Sequence, residues 1–130
     1  MNVVKKRILI IEDERNIRNF LAYRLRKLGF EVLTAKDGEE GLEEARRQIP
    51  DLIILDLMLP KFPGEEVCKA IREGEDEKLA SIPIIMLTAK NSEVDRIVGK
   101  VIGANCYLTK PFSASALLTE IRRFTCVSRI

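Results

Sequence analysis

Three stretches of the chain are apolar almost without a break: RILIIE at 7–12, DLIILD at 51–56 and IPIIMLT at 82–88. A strand with one wet face alternates polar and apolar residues, whereas a strand covered on both faces reads as a continuous apolar run. Strands of the second kind belong to parallel sheets sandwiched between helices. The segments between them carry the helical spacing that such a sandwich requires. Residues 14–28 place Ile17, Leu21 and Leu28, with Phe20 and Leu25 beside them, on one predicted stripe. Asp13 or Glu14 can start that helix and Gly29 can stop it.

The rest of the chain repeats the alternation. EVLTA at 31–35 is a second predicted strand, Asp37-Gly38 a turn, and Leu42, Ala45 and Ile49 mark a short helix closed by Pro50. A loop with Pro60 and Pro63 leads to a helix over 64–73 with Val67, Ala70 and Ile71 inward. GEDEK reads as a solvated loop, residues 92–102 as a helix, CYLT at 106–109 as a fifth strand and 114–124 as a last helix with Leu117, Leu118, Ile121 and Phe124. Five strand–helix units imply an α/β fold, a doubly wound (βα)5 parallel sheet covered on both faces. One domain over 1–130, with a core at about 6–125, accounts for the whole pattern.

Composition narrows the function. Twenty-two basic residues against 20 acidic ones give a net charge of +2, which argues against a dedicated nucleic-acid binder. The early basic residues (Lys5, Lys6, Arg7, Arg15, Arg18, Arg24, Arg26, Lys27) read as a solvated helix face. No apolar run approaches the ~18 residues of a membrane span, and Glu12 and Asp13 interrupt the first apolar stretch too early for a signal peptide. Cys68, Cys106 and Cys126 are odd in number and lack paired spacing, the pattern of thiols in a reducing cytoplasm. Histidine is absent, so catalysis by a Ser–His–Asp triad is excluded.

Open α/β sheets bind ligands beyond the carboxyl ends of their strands. At that edge the first strand delivers Glu12 and Asp13, the third Asp56, the fourth Thr88, and the fifth Lys110 followed by Pro111. Only the second strand delivers nothing. Singly, each has a bland reading: an acidic pair caps a helix, a threonine ends a strand, an aspartate forms a turn. Their coincidence on one edge is the signal. Three carboxylates together raise one another's pKa and need positive charge. Lys110 supplies one charge and a divalent cation would supply two. Oxygen ligands without His or Cys favour a hard ion, and few direct carboxylates with room for water and a phosphoryl oxygen suit Mg²⁺ better than Ca²⁺. In such a site Asp56 can act as a nucleophile that forms an aspartyl phosphate.

The motifs IIED at 10–13, DLMLP at 56–60, MLTA at 86–89 and YLTKPF at 107–112 resemble those of the receiver domain of two-component response regulators, over essentially the full chain. The spacings of 43, 32 and 22 residues between Asp13, Asp56, Thr88 and Lys110 fit that family. The resemblance implies a chemotaxis-regulator-like, flavodoxin-like three-layer sandwich with strand order 2-1-3-4-5, and is strongest in flavour to receivers of winged-helix transcription regulators. It implies that Asp56 is the phosphoacceptor, that Asp13, Asp56 and the Met58 backbone carbonyl ligate Mg²⁺ (with Mn²⁺ able to stand in), and that Glu12 acts through water. It makes Lys110 and Thr88 the phosphoryl-binding groups, Tyr107 the switch aromatic, the Lys110–Pro111 peptide cis, and Met58 and Lys90 the residues that tune hydrolysis.

The implied protein is a cytoplasmic signalling switch and not a dedicated enzyme. A partner histidine kinase or phosphotransfer protein supplies the phosphoryl group. The surface of the fourth helix, fifth strand and fifth helix then controls a C-terminal DNA-binding output domain or a separate effector, with no membrane or direct nucleic-acid contact by this domain. Departures from the family pattern are local. Asn105 and Cys106 replace two acidic residues that pair across a symmetric dimer with residues such as Arg96, Arg122 and Arg123, so dimerisation is left open. Pro63 stands where an Asp before Gly is common, and Cys106 reads as a small buried apolar residue. Three alternatives compete. A degenerate receiver would act without phosphorylation, yet every site residue is present. An aspartyl-phosphate phosphatase of the haloacid dehalogenase kind needs a second Asp where Met58 stands. A flavin binder needs a Ser/Thr/Gly-rich cradle where this chain has acids.

Overall fold

Strand β1 (Arg7–Ile11) leads into α1 (Arg15–Lys27), β2 (Glu31–Ala35), α2 (Gly38–Gln48), β3 (Leu52–Asp56) and α3 (Gly64–Arg72). A one-turn helix α4 (Glu77–Ala80) precedes β4 (Ile84–Thr88), and β5 (Cys106–Thr109) precedes α5 (Ala114–Thr125). The computed structural model describes residues 5–88 and 103–125. The predicted helix over 92–102, together with Lys90, Arg96 and Cys126, lies outside the described residues.

The described strands form one parallel sheet in the order β2-β1-β3-β4-β5, with Ile10 opposite Thr34 and Ile54, and Ile54 opposite Ile85. The continuous apolar runs have the expected consequence. Alternate residues of β1, β3 and β4 enter opposite cores. Leu9, Ile11, Ile53, Leu55, Ile84 and Met86 pack with Ala45, Val67, Cys68 and Ile71 from α2 and α3. Ile8, Ile10, Leu52, Ile54, Ile85 and Leu87 pack with Leu21, Ala22 and Leu25 of α1 and with Leu117 and Ile121 of α5. Each such side chain taken fully out of water contributes about 1.5–3 kcal/mol.

Four expectations need correction. The buried face of α1 is Leu21, Ala22 and Leu25, whereas Phe20 is 52% and Leu28 47% exposed. The stripe is rotated toward Ala22, and the Arg24 guanidinium lies 5.6 Å from the centroid of the outward Phe20 ring. On α3, Cys68 is buried where Ala70 was expected inward. Asp37-Gly38 is not a turn. Asp37 is the N-cap of α2, its Oδ1 accepting the Glu40 N–H at 2.8 Å, and Gly38 is the first helical residue. That acceptor bond holds the Asp37 carboxyl below its usual range, and such a cap contributes about 1 kcal/mol. GEDEK is not wholly loop, because Asp76 caps α4 through the N–H groups of Lys78 and Leu79 and Leu79 is buried.

Cys68 is fully buried and Cys106 half-buried against the second core, and burial pushes both thiols up to about 11. Inert thiols of this kind fit the reading of Cys106 as a small apolar residue.

Candidate functional site

The carboxyl ends of β1, β3, β4 and β5 lie side by side, so the polar residues that follow the apolar runs meet at one edge. Carboxylate oxygens of Glu12, Asp13 and Asp56 all lie within 4.8 Å of one another. Glu12 and Asp56 are buried and Asp13 is exposed, so the cluster opens toward solvent on the Asp13 side. The Lys110 ammonium reaches in from the end of β5, 3.1 Å from Glu12 Oε1 and 3.3 Å from Asp56 Oδ2.

Local backbone structure fixes each group. The Glu12 N–H continues the sheet by donating to the Ala35 carbonyl at 3.0 Å, and Glu12 Oε2 accepts the Glu14 N–H at 3.1 Å. Asp56 Oδ1 accepts the Met58 N–H at 3.1 Å, which folds the chain back as β3 ends. The Lys110 N–H donates to the Thr88 carbonyl at 2.7 Å, so the end of β4 positions the lysine. The Lys110–Pro111 peptide is cis. Gly64, at the start of α3, donates its N–H to the Leu57 carbonyl at 3.0 Å and presses directly on the end of β3.

The electrostatics are unbalanced. Two buried carboxylates face one ammonium. Burial first, then the hydrogen bond and charge of Asp56, push the Glu12 carboxyl up to about 7, against the Glu14 N–H and Lys110. Burial works against the Lys110 ammonium too, but the Asp56 and Glu12 carboxylates outweigh it and hold its pKa above the ordinary lysine value. Thr88 is fully buried, and among the described residues its Oγ1 has no hydrogen-bond partner. An unsatisfied buried hydroxyl costs about 1–3 kcal/mol and marks a place where an incoming oxygen would be welcome.

The donor set fits a hard divalent cation. It offers carboxylate oxygens, excess negative charge and an open side. The Thr88 hydroxyl, unmet among the described residues, and the Lys110 ammonium, each at the end of a neighbouring strand, fit an anionic oxygen ligand equally well.

The excess charge makes stability depend on pH in the metal-free chain. The folded state binds the Glu12 proton more tightly than the unfolded state between about 4.5 and about 7. Stability is therefore higher at the acid end of that window and is lost as pH rises through it, by about 2 kcal/mol between about pH 5.5 and 7. Denaturant unfolding in a chelating buffer should show this slope in the wild type and not in Glu12→Gln. A wild-type slope matching that of Glu12→Gln would refute the shift.

The structure thus brings together Glu12, Asp13, Asp56 and Lys110, with Thr88 at the adjoining strand end. Tyr107 lies in β5 opposite Met86, half-buried against the first core. The Met58 side chain is 68% exposed beside the site. Three further residues engage the backbone or bridge it, one of them, Arg18, expected on a solvated face. Arg18 donates to the carbonyls of Glu12 and Asp13. Arg72 donates to the carbonyls of Ala80, Ile82 and Gly103 and to Asn105 Oδ1. Asn105 Oδ1 also accepts the Ile84 N–H at 2.8 Å, so its amide is engaged within the chain. Arg18 carries no sequence signal, since its partners are main-chain carbonyls.

Comparison with known proteins agrees with this geometry. The family model for the response regulator receiver domain matches residues 8–122. The alkaline phosphatase synthesis transcriptional regulatory protein PhoP of Bacillus subtilis is 50% identical over 119 residues, 92% of this chain and 48% of PhoP. The chain spans about half the length of the curated relatives it matches. Among solved structures, the chemotaxis response regulator CheY4 of Vibrio cholerae superposes with a TM-score of 0.85 at 35% identity, covering 93% of this chain and 99% of CheY4. The receiver domain of a sensor histidine kinase from Pseudomonas aeruginosa, crystallised with a magnesium ion in its active-site cleft, gives a TM-score of 0.84 at 33% identity, covering 93% and 98%.

Proposed function

The chain belongs to the response regulator receiver domain family of two-component signalling, and from that premise we propose that Asp56 is its phosphoacceptor. One observation carries the reading: a buried Asp56 whose two oxygens are held by the Met58 N–H and the Lys110 ammonium, inside a carboxylate cluster with Glu12 and Asp13. Asp56 is pre-aimed, and little reorganisation precedes attack.

In the proposed step an Asp56 carboxylate oxygen attacks the phosphorus of a partner's phosphohistidine. The new P–O bond forms as the P–N bond breaks, and the imidazole departs with the partner. These 130 residues contain no histidine, so they cannot supply that donor themselves. Lys110 holds a phosphoryl oxygen, offsetting charge that develops on transfer. The Thr88 hydroxyl, unmet among the described residues, turns to a phosphoryl oxygen once the aspartyl phosphate exists. Asp13, Asp56 and the Met58 carbonyl would hold Mg²⁺ directly and Glu12 through water, and the cation would supply charge neutralisation at the phosphoryl oxygens. Mn²⁺ has the same ligand preferences.

Tyr107 follows Thr88 as the switch residue, and Met58 and Lys90 tune hydrolysis of the phosphoryl group. The result is a population shift on the surface of β5, α5 and the helix expected over 92–102. That surface would act on a DNA-binding output domain or a separate effector, with transcription as the controlled process, in keeping with the relatives' names. No helix among the described residues is long and apolar enough to cross a membrane, and we place the domain in the cytoplasm.

The test is intact mass after incubation with Mg²⁺ and acetyl phosphate. One phosphoryl group should be gained, and none when a chelator is present. No gain, with Mg²⁺ binding measurable, would overturn the phosphoacceptor reading.

A further inference from the structure

We propose that Arg18 is a positioning residue for the acidic pair Glu12 and Asp13, and that it sets their affinity for the divalent cation; the inference rests on the reading of that cluster as a Mg²⁺ site. Arg18 Nη1 donates to the Glu12 carbonyl at 3.0 Å and to the Asp13 carbonyl at 3.3 Å. With these bonds every polar group of Glu12 is held. Its N–H goes to the Ala35 carbonyl, Oε1 to Lys110 and Oε2 to the Glu14 N–H. Asp13 differs. Its side chain is exposed, so the backbone that roots it is what holds its carboxylate near the site, and Arg18 grips that backbone at the carbonyl.

The arginine is itself well placed. Its own N–H donates to the Glu14 carbonyl at 2.9 Å, inside the first turn of α1, and Glu14 caps that helix by accepting the Asn16 N–H. The guanidinium thus ties the turn carrying the acids to the helix that follows. Groups that orient metal ligands without touching the metal typically change affinity by about 10–100-fold when removed.

Charge and geometry make opposite predictions here. A guanidinium beside a cation site repels the cation, so deleting its charge would tighten binding. Loss of positioning would loosen it. Titration calorimetry of Mg²⁺ into the metal-free protein separates the two, with thermal melts in chelator confirming that each variant is folded. Arg18→Ala should raise the Mg²⁺ Kd by about 10-fold, and Arg18→Lys, which keeps a donor within reach of the carbonyls, should recover most of the loss. Arg18→Gln keeps a donor without the charge and should fall between Ala and wild type, which keeps the question answerable if Ala fails to fold. A Kd equal to or below wild type in Arg18→Ala or Arg18→Gln would overturn the proposal. Absence of Mg²⁺ binding by the wild type would instead remove the metal-site reading itself, and this inference with it.

Discussion

Asp56→Asn should take up no phosphoryl group from acetyl phosphate and should melt at a higher temperature than wild type in metal-free buffer. The first effect is chemical. An amide of the same shape keeps an oxygen for the Met58 N–H but has no carboxylate to attack phosphorus. The second effect follows from the charge imbalance. Glu12 and Asp56 crowd one ammonium, and Asp56 adds to what burial does to Glu12. Neutralising Asp56 leaves one buried carboxylate facing one lysine, a balanced pair. Relief of about 1 kcal/mol corresponds to a few degrees in a domain of this size. A site held under repulsion until a cation arrives trades stability for function. Mass spectrometry and calorimetric melts in chelator check the two halves separately. A variant that takes up phosphate would remove Asp56 as the acceptor, and one that melts lower would show that Lys110 needs both acids.

Gly64→Ala should destabilise the chain by roughly 3 kcal/mol, because overpacking here meets main chain and not a side chain that can rotate away. A Cβ at this position would lie 2.4 Å from the Asp56 carbonyl oxygen, 2.7 Å from Leu57 Cα and 2.9 Å from the Leu57 carbonyl oxygen. None of these can yield without moving the end of β3, and that end carries the proposed phosphoacceptor. Phosphoryl uptake should therefore fall along with stability. Gly74→Ala is the control, since a Cβ there meets nothing closer than 3.4 Å. Denaturant unfolding of both variants decides the point. Equal costs at the two positions would mean that α3 does not press on β3 as described.

The sheet was legible in the sequence because its central strands are buried on both faces, and only unbroken runs such as LIIL at 52–55 satisfy that demand. The strand ends were legible for the same reason, since a charge that follows such a run stands out. Helix faces were harder. The burial of Leu21, Ala22 and Leu25 depends on how α1 sits on the sheet, and an alanine carries too little hydropathic weight to outrank Phe20 or Leu28 from the sequence alone. Helix α4 was hidden because four residues show no period, and its order comes from the Asp76 cap and one buried leucine. Asp37-Gly38 has turn composition, but Gly38 is required by the close approach of Phe62, whose carbonyl oxygen would sit 2.0 Å from an added Cβ.

Within the site, the acids, Lys110 and Thr88 could be named from sequence because each is the polar residue that ends a strand. Arg18, Arg72 and Asn105 could not, because they bind mainly main-chain groups. A carbonyl has no sequence signature. Asn105 shows the cost of reasoning by substitution alone. In place of a familiar acid it leaves dimerisation open, and the substitution gives no sign that its amide oxygen bridges Arg72 and the Ile84 N–H inside the domain.

In the proposed function one carboxylate, at the end of β3, takes the phosphoryl group. The most direct measurement is to load the protein with Mg²⁺ and acetyl phosphate, reduce it with borohydride and map the peptides. An aspartyl phosphate is reduced to homoserine, so homoserine is expected at position 56, with Glu12 and Asp13 unmodified. Homoserine at another aspartate, or a loaded protein with intact Asp56, would contradict it.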